Sequence, residues 1–326
     1  MNNIQLLIRG SGNKVFEPII LDDVTWETER LGTPGKLTFT VVKDQVISFP
    51  EGAQVQLKVN GKKIFMGFIF EKSRDKEHHI QCVAYDQLRY FKNKDCYVFT
   101  KKKASEVIKM IADDFNLTLG DIEDTGYIIP KYAKGEQTLI DTILETLSYT
   151  TGATGKMFVL YDDFGKIALK NIESMKLNLL IDPSTAENFD YTSSIDSDTY
   201  NKIKLVRENQ ETGKDDAYVA IDWESAGNWG ILQYFERIQD GANGENMAKT
   251  LLELKNRKTR NLTINGVLGD VRVRAGCSLP IHLNIGDIHV QKLKSLLVCD
   301  KVTHHFSAYH HSMDVTLFDA NTFTGG

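Results

Sequence analysis

A run of alternating residues near the start of the chain comes back near its end. "EGAQVQLKVNG" at 51–61 and "AGCSLPIHLNIG" at 275–286 both place Gly second and then alternate. Val55, Leu57 and Val59 answer to Leu279, Ile281 and Leu283, and Asn60 and Asn284 follow. "FIFEKS" at 68–73 is matched by "LVCDKV" at 297–302, which aligns Glu71-Lys72 with Asp300-Lys301. "IQCVAYD" at 80–86 is matched by "MDVTLFD" at 313–319, each closing on an aromatic residue and an aspartate. One such block could arise by chance, because alternating strands resemble one another. Three in the same order predict one β unit used twice.

Local signals agree. Leu37, Phe39 and Val41 repeat at the period of a half-buried strand. Asn60-Gly61 sits between two alternating runs, and a two-residue hairpin turn needs φ > 0 at both positions. Short strands separated by turn signals suggest a sandwich or barrel. The period then changes. Val107, Ile108, Ile111, Ala112 and Phe115 have helical spacing, as do Leu139, Ile140, Ile143, Leu144 and Leu147, with Gly152 as the expected stop. "TKKKAS" at 100–105 reads as a solvated linker into the first of these helices, and a hairpin is expected around Asp163-Phe164-Gly165. Strands resume at "NKIKLVRE" (201–208). At 326 residues the chain is long for one core. The expected fold is mainly β with an α/β insert: a first β-barrel unit over 1–95, an α/β insertion domain over 96–184, and a second β-barrel unit over 185–326 carrying one inserted helix at about 243–258.

Composition excludes several classes. Net charge is −5 with lysines and acids interspersed, so no basic tract tracks a phosphate backbone and no direct nucleic-acid recognition is expected. Cys82, Cys96, Cys277 and Cys299 include no C-x-x-C, and a disulfide framework is not expected. "MNNIQLLIRGSGNK" has neither a cationic head nor a long apolar core, so no signal peptide is expected. No apolar run approaches the roughly 18 residues of a membrane span, so no membrane insertion is expected either.

"KVTHHFSAYHHSMDV" (301–315) raises the question of a metal. Folded as a hairpin with Ala308-Tyr309 at its tip, it sets Phe306 opposite His311, His304 opposite Met313 and Val302 opposite Val315. Thr303 then faces Asp314 and Lys301 faces Thr316. Apolar and polar residues separate onto opposite faces, which is how register is specified. His304 and His311 fall together on the apolar face, and His305 and His310 on the other. Two ligands per face with no acid beside them fall short of a zinc site, so the histidines are expected to be structural or interfacial. "DTG" at 124–126 matches the aspartic-protease tripeptide in a single copy, and a loop explains it better. No residue is expected to be catalytic, to bind a cofactor or to bind a metal.

Taken in order, "GFIF…CVAYDQLRYFKNK", "GKIALKNI", "NKIKLV", "LTINGVLGDVRVRAGCSLPI" and the "KVTHHFS…HHSMDVTL" hairpin resemble the baseplate hub of contractile phage tails. The match is to the form carried by Gram-positive prophages and tail-like bacteriocins. "AYDQLRYF" (84–91) and the "GD-V-V-AG" pattern (269–276) are its most specific pieces. The resemblance implies a homotrimer whose two barrels per chain form a pseudo-sixfold ring, an adaptor between the sixfold tail tube protein and the threefold spike protein within the baseplate. It also implies a place in a virion or tail-like particle made in the bacterial cytoplasm. Two other classes compete: a tail-associated cell-wall hydrolase, and a carbohydrate- or receptor-binding β protein using Trp223, Trp229 and Tyr234, which otherwise read as a hairpin of the second unit or a spike contact.

Overall fold

Alternation builds the first unit. In a computed structural model that describes residues 2–319 apart from 11, 13, 45, 78, 182–187, 197, 210–213, 239–241, 281, 286–287 and 292–296, seven strands come first. They are β1 (Ile4–Arg9), β2 (Val15–Phe16), β3 (Ile20–Glu29), β4 (Lys36–Val42), β5 (Gln54–Val59), β6 (Lys62–Arg74) and β7 (His79–Tyr85). Every second residue of β4 and β5 is buried, among them Leu37, Phe39, Val55 and Leu57. Asn60 (φ 51°) and Gly61 (φ 76°) make the β5–β6 turn as expected.

A mixed body follows: β8 (Lys94–Lys103), α1 (Ala104–Asp114), β9 (Leu119–Ile122), β10 (Ile128–Thr138), α2 (Leu139–Thr154), β11 (Phe158–Asp162) and β12 (Ile167–Asn171). "TKKKAS" is no linker: the β8–β10 ladder runs on to Lys103, paired with Ile128, and the Lys103 N–H donates to Glu106 Oε2 at 2.8 Å as α1 begins. The Thr138 hydroxyl accepts from the Asp141 N–H at 3.2 Å and starts α2. α2 ends at Gly155 (φ 72°), not at Gly152. Gly152 is buried inside the helix, facing Met247 of a later helix, and a Cβ there would make only ordinary contact, 3.6 Å from Met247 Cε.

After β13 (Asn188–Ser194) come β14 (Lys202–Asn209), β15 (Lys214–Ile221), α3 (Trp223–Trp229), β16 (Gln233–Arg237) and α4 (Gly244–Lys255). Trp223 to Trp229 is thus a helix, not a hairpin. The segment from β14 to α4 departs from the expected plan in a second way. Ile203, Leu205, Met247, Ala248 and Leu251 join one buried core with Val107, Ile108, Ile143, Leu147 and Leu160. They pack with the mixed body, although the sequence reading grouped them with the second β unit.

That unit resumes with β17 (Thr259–Leu268), β18 (Ser278–Leu279), β19 (His282–Ile285), β20 (Ile288–Gln291), β21 (Leu297–Phe306) and β22 (His311–Asp319). Its own core contains Leu262, Ile264, Val267, Cys299, Val302, Met313 and Val315. The duplication is visible in the strand order: β3-β4-β7-β6-β5 in the first unit, β13-β17-β22-β21-β18 in the second. Register agrees along one row of partners. The chain of partners Glu27–Lys36–Tyr85–Phe68–Gln54 answers to Thr192–Asn261–Phe318–Val298–Ser278.

This register corrects the middle block of the sequence match by one residue, since Phe68 corresponds to Val298 rather than Leu297. Both strands carry a bulge just there, at Phe70 and at Asp300, and each slips the ladder by one residue. Asn284 also differs from Asn60. It pairs with His289 inside a separate β19–β20 ribbon. Ile281 and Gly286 lie outside the described residues.

Candidate functional site

The two units are joined edge to edge. β21 pairs antiparallel with β3, so that Val302 lies opposite Thr28, His304 opposite Trp26 and Phe306 opposite Val24. Phe306 inserts into the core of the first unit. At the other end of the same tip, the Asn2 N–H donates to Ala308 O at 2.8 Å, which brings the first strand round to the second unit's hairpin. Ion pairs flank the seam: Lys301 with Glu27 at 2.8 Å and Glu29 at 3.0 Å, and Arg30 with Asp300 at 3.0 Å.

The β21–β22 hairpin has the register read from sequence, from Lys301 opposite Thr316 to Phe306 opposite His311. His304 is fully buried, stacked on Trp26 with ring centroids 5.1 Å apart. Its Nε2 lies 2.9 Å from Val273 O and its Nδ1 3.0 Å from His311 Nε2. A carbonyl only accepts, so His304 carries its proton on Nε2. Its Nδ1 then accepts, and His311 Nε2 must donate. Both nitrogens of His304 are therefore occupied. Burial pushes its pKa down to about 3, and burial pushes His311 down to about 4. Asp270 opposes both shifts, so an acid does stand near this pair, contrary to the sequence reading. On the other face His305 Nε2 is 3.0 Å from Asp314 Oδ2, while Asp314 Oδ1 accepts from the Gly266 N–H at 2.9 Å.

The most specific sequence pieces meet at this joint. In "AYDQLRYF", Asp86 is buried and accepts from the Gly35 N–H at 2.8 Å and from the Leu88 N–H at 3.0 Å. Gln87 reaches into the mixed body, donating to Gly165 O and accepting from the Thr118 N–H at 3.0 Å. In "GDVRVRAG", the Ala275 N–H donates to Thr28 Oγ1 at 3.1 Å, and the Arg274 guanidinium lies 3.9 Å over the Tyr161 ring and donates to Asp162 O at 3.1 Å. Burial, then the charge of Asp162, pushes Asp86 well above the usual carboxylate range, and burial pushes Asp162 up to about 6. Sequence reasoning missed the Asp86–Asp162–Arg274 meeting because its members are far apart in the chain.

Two glycines of the motif are fixed by contact. A Cβ on Gly269 would fall 2.2 Å from the His311 ring, and Gly276 (φ 91°) would meet both Val159 methyl carbons at 2.9 Å. Gly276→Ala is expected to destabilise the fold by about 2–4 kcal/mol, from the left-handed backbone and the overlap together. Urea midpoints measure this, and a loss below about 1 kcal/mol contradicts it.

The remaining candidates lie elsewhere. Asp124 of "DTG" is exposed, between β9 and β10. It pairs with Lys103 at 2.6 Å and accepts from the Gly126 N–H at 2.9 Å, and these contacts hold its pKa below the usual range. Tyr234 packs edge-on against Tyr200 at 5.4 Å, not against either tryptophan. Among the described residues, the grouping of ligand atoms close enough for a metal is Asp75, Glu77 and His79, within 4.8 Å of one another on the β6–β7 turn. "DKEHH" carried that signal in sequence. Asp75 accepts there from the Glu77 and His79 N–H groups, both at 2.9 Å, which is a turn-forming role. Zinc titration calorimetry is expected to show no stoichiometric site at the His304–His311 pair. Sub-micromolar binding lost on His304→Ala with His311→Ala overturns this. Among the described residues no helix is long and apolar enough to cross a membrane.

A duplicated sheet joined at one seam, with a helical body set into it, is a fold found in phage tails. The 43 kDa tail protein of prophage MuSo2 from Shewanella oneidensis shares it, with TM-score 0.70, 9% identity and coverage of 98% of this chain and 100% of that one. In sequence, the chain is 30% identical to protein YqbQ of Bacillus subtilis (strain 168) over 318 residues, 94% of this chain and 95% of the relative. It is also 30% identical to phage-like element PBSX protein XkdQ of the same organism over 319 residues, again 94% and 95%. The YQBQ-like family model matches residues 24–318, and the chain belongs to that family.

Proposed function

We propose that the chain is the structural hub of a contractile-tail baseplate. It is a structural protein of a phage tail or tail-like particle, as its family and fold indicate. Within that class the hub reading holds that three chains, each supplying two β units, form a pseudo-sixfold ring between a sixfold tail tube and a threefold spike. The observation that carries it is the seam. Two units of one strand order are joined head to tail through β21 and β3, and repeating a head-to-tail joint closes a ring when the rotation allows. The division into working parts that we propose is the first unit, a body running from β8 to β12 and again from β14 to α4, and the second unit. The role is non-enzymatic. The most strongly shifted acids, Asp86 and Asp162, are bound to backbone N–H groups, the arrangement of a structural joint.

Electron microscopy of purified tail particles is the test. A ring of three copies around a central channel is expected. A single copy, or a chain that clears purified peptidoglycan and loses this on Asp124→Asn, overturns the reading in favour of a tail-associated hydrolase.

A further inference from the structure

A cavity of about 460 Å³ opens where the first unit, the mixed body and the second unit meet. That is within the roughly 300–1,000 Å³ of small-ligand sites. It begins at the Arg30–Asp300 end of the seam and shares no residue with the histidine pair or the Asp86 joint. Its apolar wall comes from the mixed body. Leu144 and Leu147 stand one turn apart on α2, Leu251 and Leu254 do the same on α4, and Phe158 and Leu160 of β11 lie beside them.

The other wall carries charge. Arg30 follows β3, and its backbone N–H donates to Asp300 O at 2.9 Å while its Nε donates to Asp300 Oδ1 at 3.0 Å. The guanidinium carbon lies 4.4 Å from the centre of the Phe318 ring, and Nη1 lies 3.8 Å from the Met157 sulfur, a weak acceptor. Among the described residues Nη2 has no acceptor. Only 14% of the side chain is exposed, and burial pushes its pKa down against the pull of Asp300. Lys255, Arg257 and Lys258 add to this wall, and Lys255 pairs with Asp198 at 2.5 Å. The lining thus sets four cations against two carboxylates, Asp198 and Asp300, in a chain whose net charge is −5.

We propose that the cavity binds an amphipathic carboxylate of the fatty-acid class, with its carboxylate on the Arg30 guanidinium and its hydrocarbon chain between the leucines of α2 and α4. A guanidinium matches a carboxylate in shape and charge, and the dry surroundings strengthen the pairing. The tail covers apolar side chains that otherwise face the opening. A cationic ligand meets the excess of like charge, and a neutral one leaves the buried guanidinium donor unmet. An occupied site touches β3, α2, α4 and β22 together, so the ligand braces all three parts of the molecule. It lies within one chain and stands independently of the ring reading.

Titration calorimetry of the full chain with decanoate, kept below its micelle concentration, is the test. One site per chain is expected, with Kd below about 100 μM. Decanol and decyltrimethylammonium should each bind at least about tenfold more weakly. Arg30→Gln should bring decanoate down to the level of decanol. Because that change also loosens Asp300, two milder variants accompany it. Lys258 is exposed, and Lys258→Glu cancels the excess charge without touching the core, so it should weaken decanoate at least about threefold and leave decanol unchanged. Leu144 is half-buried, and Leu144→Trp narrows the cavity and should weaken both. Absence of saturable binding, equal affinity for decanoate and decanol, or decanoate binding that neither Lys258→Glu nor Leu144→Trp alters overturns the proposal.

Discussion

Asp86→Ala is expected to cost the fold about 3–5 kcal/mol, because it strips two buried N–H groups, those of Gly35 and Leu88, of their acceptor. The lost side chain also starts the short helical turn from Gln87 to Lys92, through which Gln87 reaches the mixed body. Asp86→Asn retains one acceptor oxygen and removes a charge that burial and Asp162 oppose, so it should lose less than half as much. A second variant isolates the contact. A Cβ on Gly35 would fall 2.4 Å from Asp86 Oδ2, so Gly35→Ala should destabilise the native protein by about 1–3 kcal/mol and should be better tolerated in the Asp86→Ala background. Denaturant midpoints of the four proteins give the coupling. If the two single losses simply add, Asp86 does not act through Gly35.

The second large effect is acid sensitivity at the seam. His304 has its pKa lowered from 6.5 to about 3. Above pH 6.5 both folded and unfolded chains hold the ring neutral. As pH falls below 6.5 the unfolded chain takes up a proton that the folded one refuses, so stability is lost progressively until the folded pKa is reached. By pH 4 this single group removes about 3 kcal/mol. His304→Phe keeps a ring between Trp26 and Phe306 but deletes the titration. It leaves Val273 O without its donor and should be less stable than the native protein at pH 7, with the gap narrowing by about 3 kcal/mol on going to pH 4. Parallel pH profiles for the two proteins contradict the argument. Asp162 works in the opposite sense. Raised from 3.8 to about 6, it holds a proton in the folded state that the unfolded chain has released, so its contribution falls as pH rises from about 4 to 6. Comparing Asp162→Asn with the native protein separates the two.

What could be read from the residues alone was what obeys a local period. The hairpin around Ala308-Tyr309 came out in register because its apolar residues alternate without interruption on both arms, and a slip of one would have turned Val302, Val315 and Met313 outward. The duplication was legible for the same reason, yet its middle block was displaced by one at the bulges, where alternation breaks and the similar pairs Glu71-Lys72 and Asp300-Lys301 invite the wrong alignment. The β14–α4 segment went to the wrong neighbour because Ile203, Leu205 and Met247 look like any buried residues. Nothing in their spacing says which core receives them. The joint at Asp86, Asp162 and Arg274 was hidden more deeply, since Asp86 accepts from the Gly35 N–H, Asp162 from the Gln87 side chain, and Arg274 reaches the Tyr161 ring and Asp162 O, all across long stretches of chain. The pieces singled out as most specific, "AYDQLRYF" and "GDVRVRAG", prove to be the ones that make those distant contacts.

The seam between β21 and β3 also fixes how an assembly of such chains would respond to force. Its two strands belong to one polypeptide, so parting them only loosens a loop. A joint between chains has no covalent tether behind it. In a closed ring the two kinds alternate, and a load that spreads the ring, such as a passing cargo or a descending tube, falls first on every second joint. Rupture there would release whole chains as intact two-unit pieces. The same alternation means that the number of units around the circle is always even, whatever number of chains takes part, so a tube with an odd number of subunits could never be matched one to one.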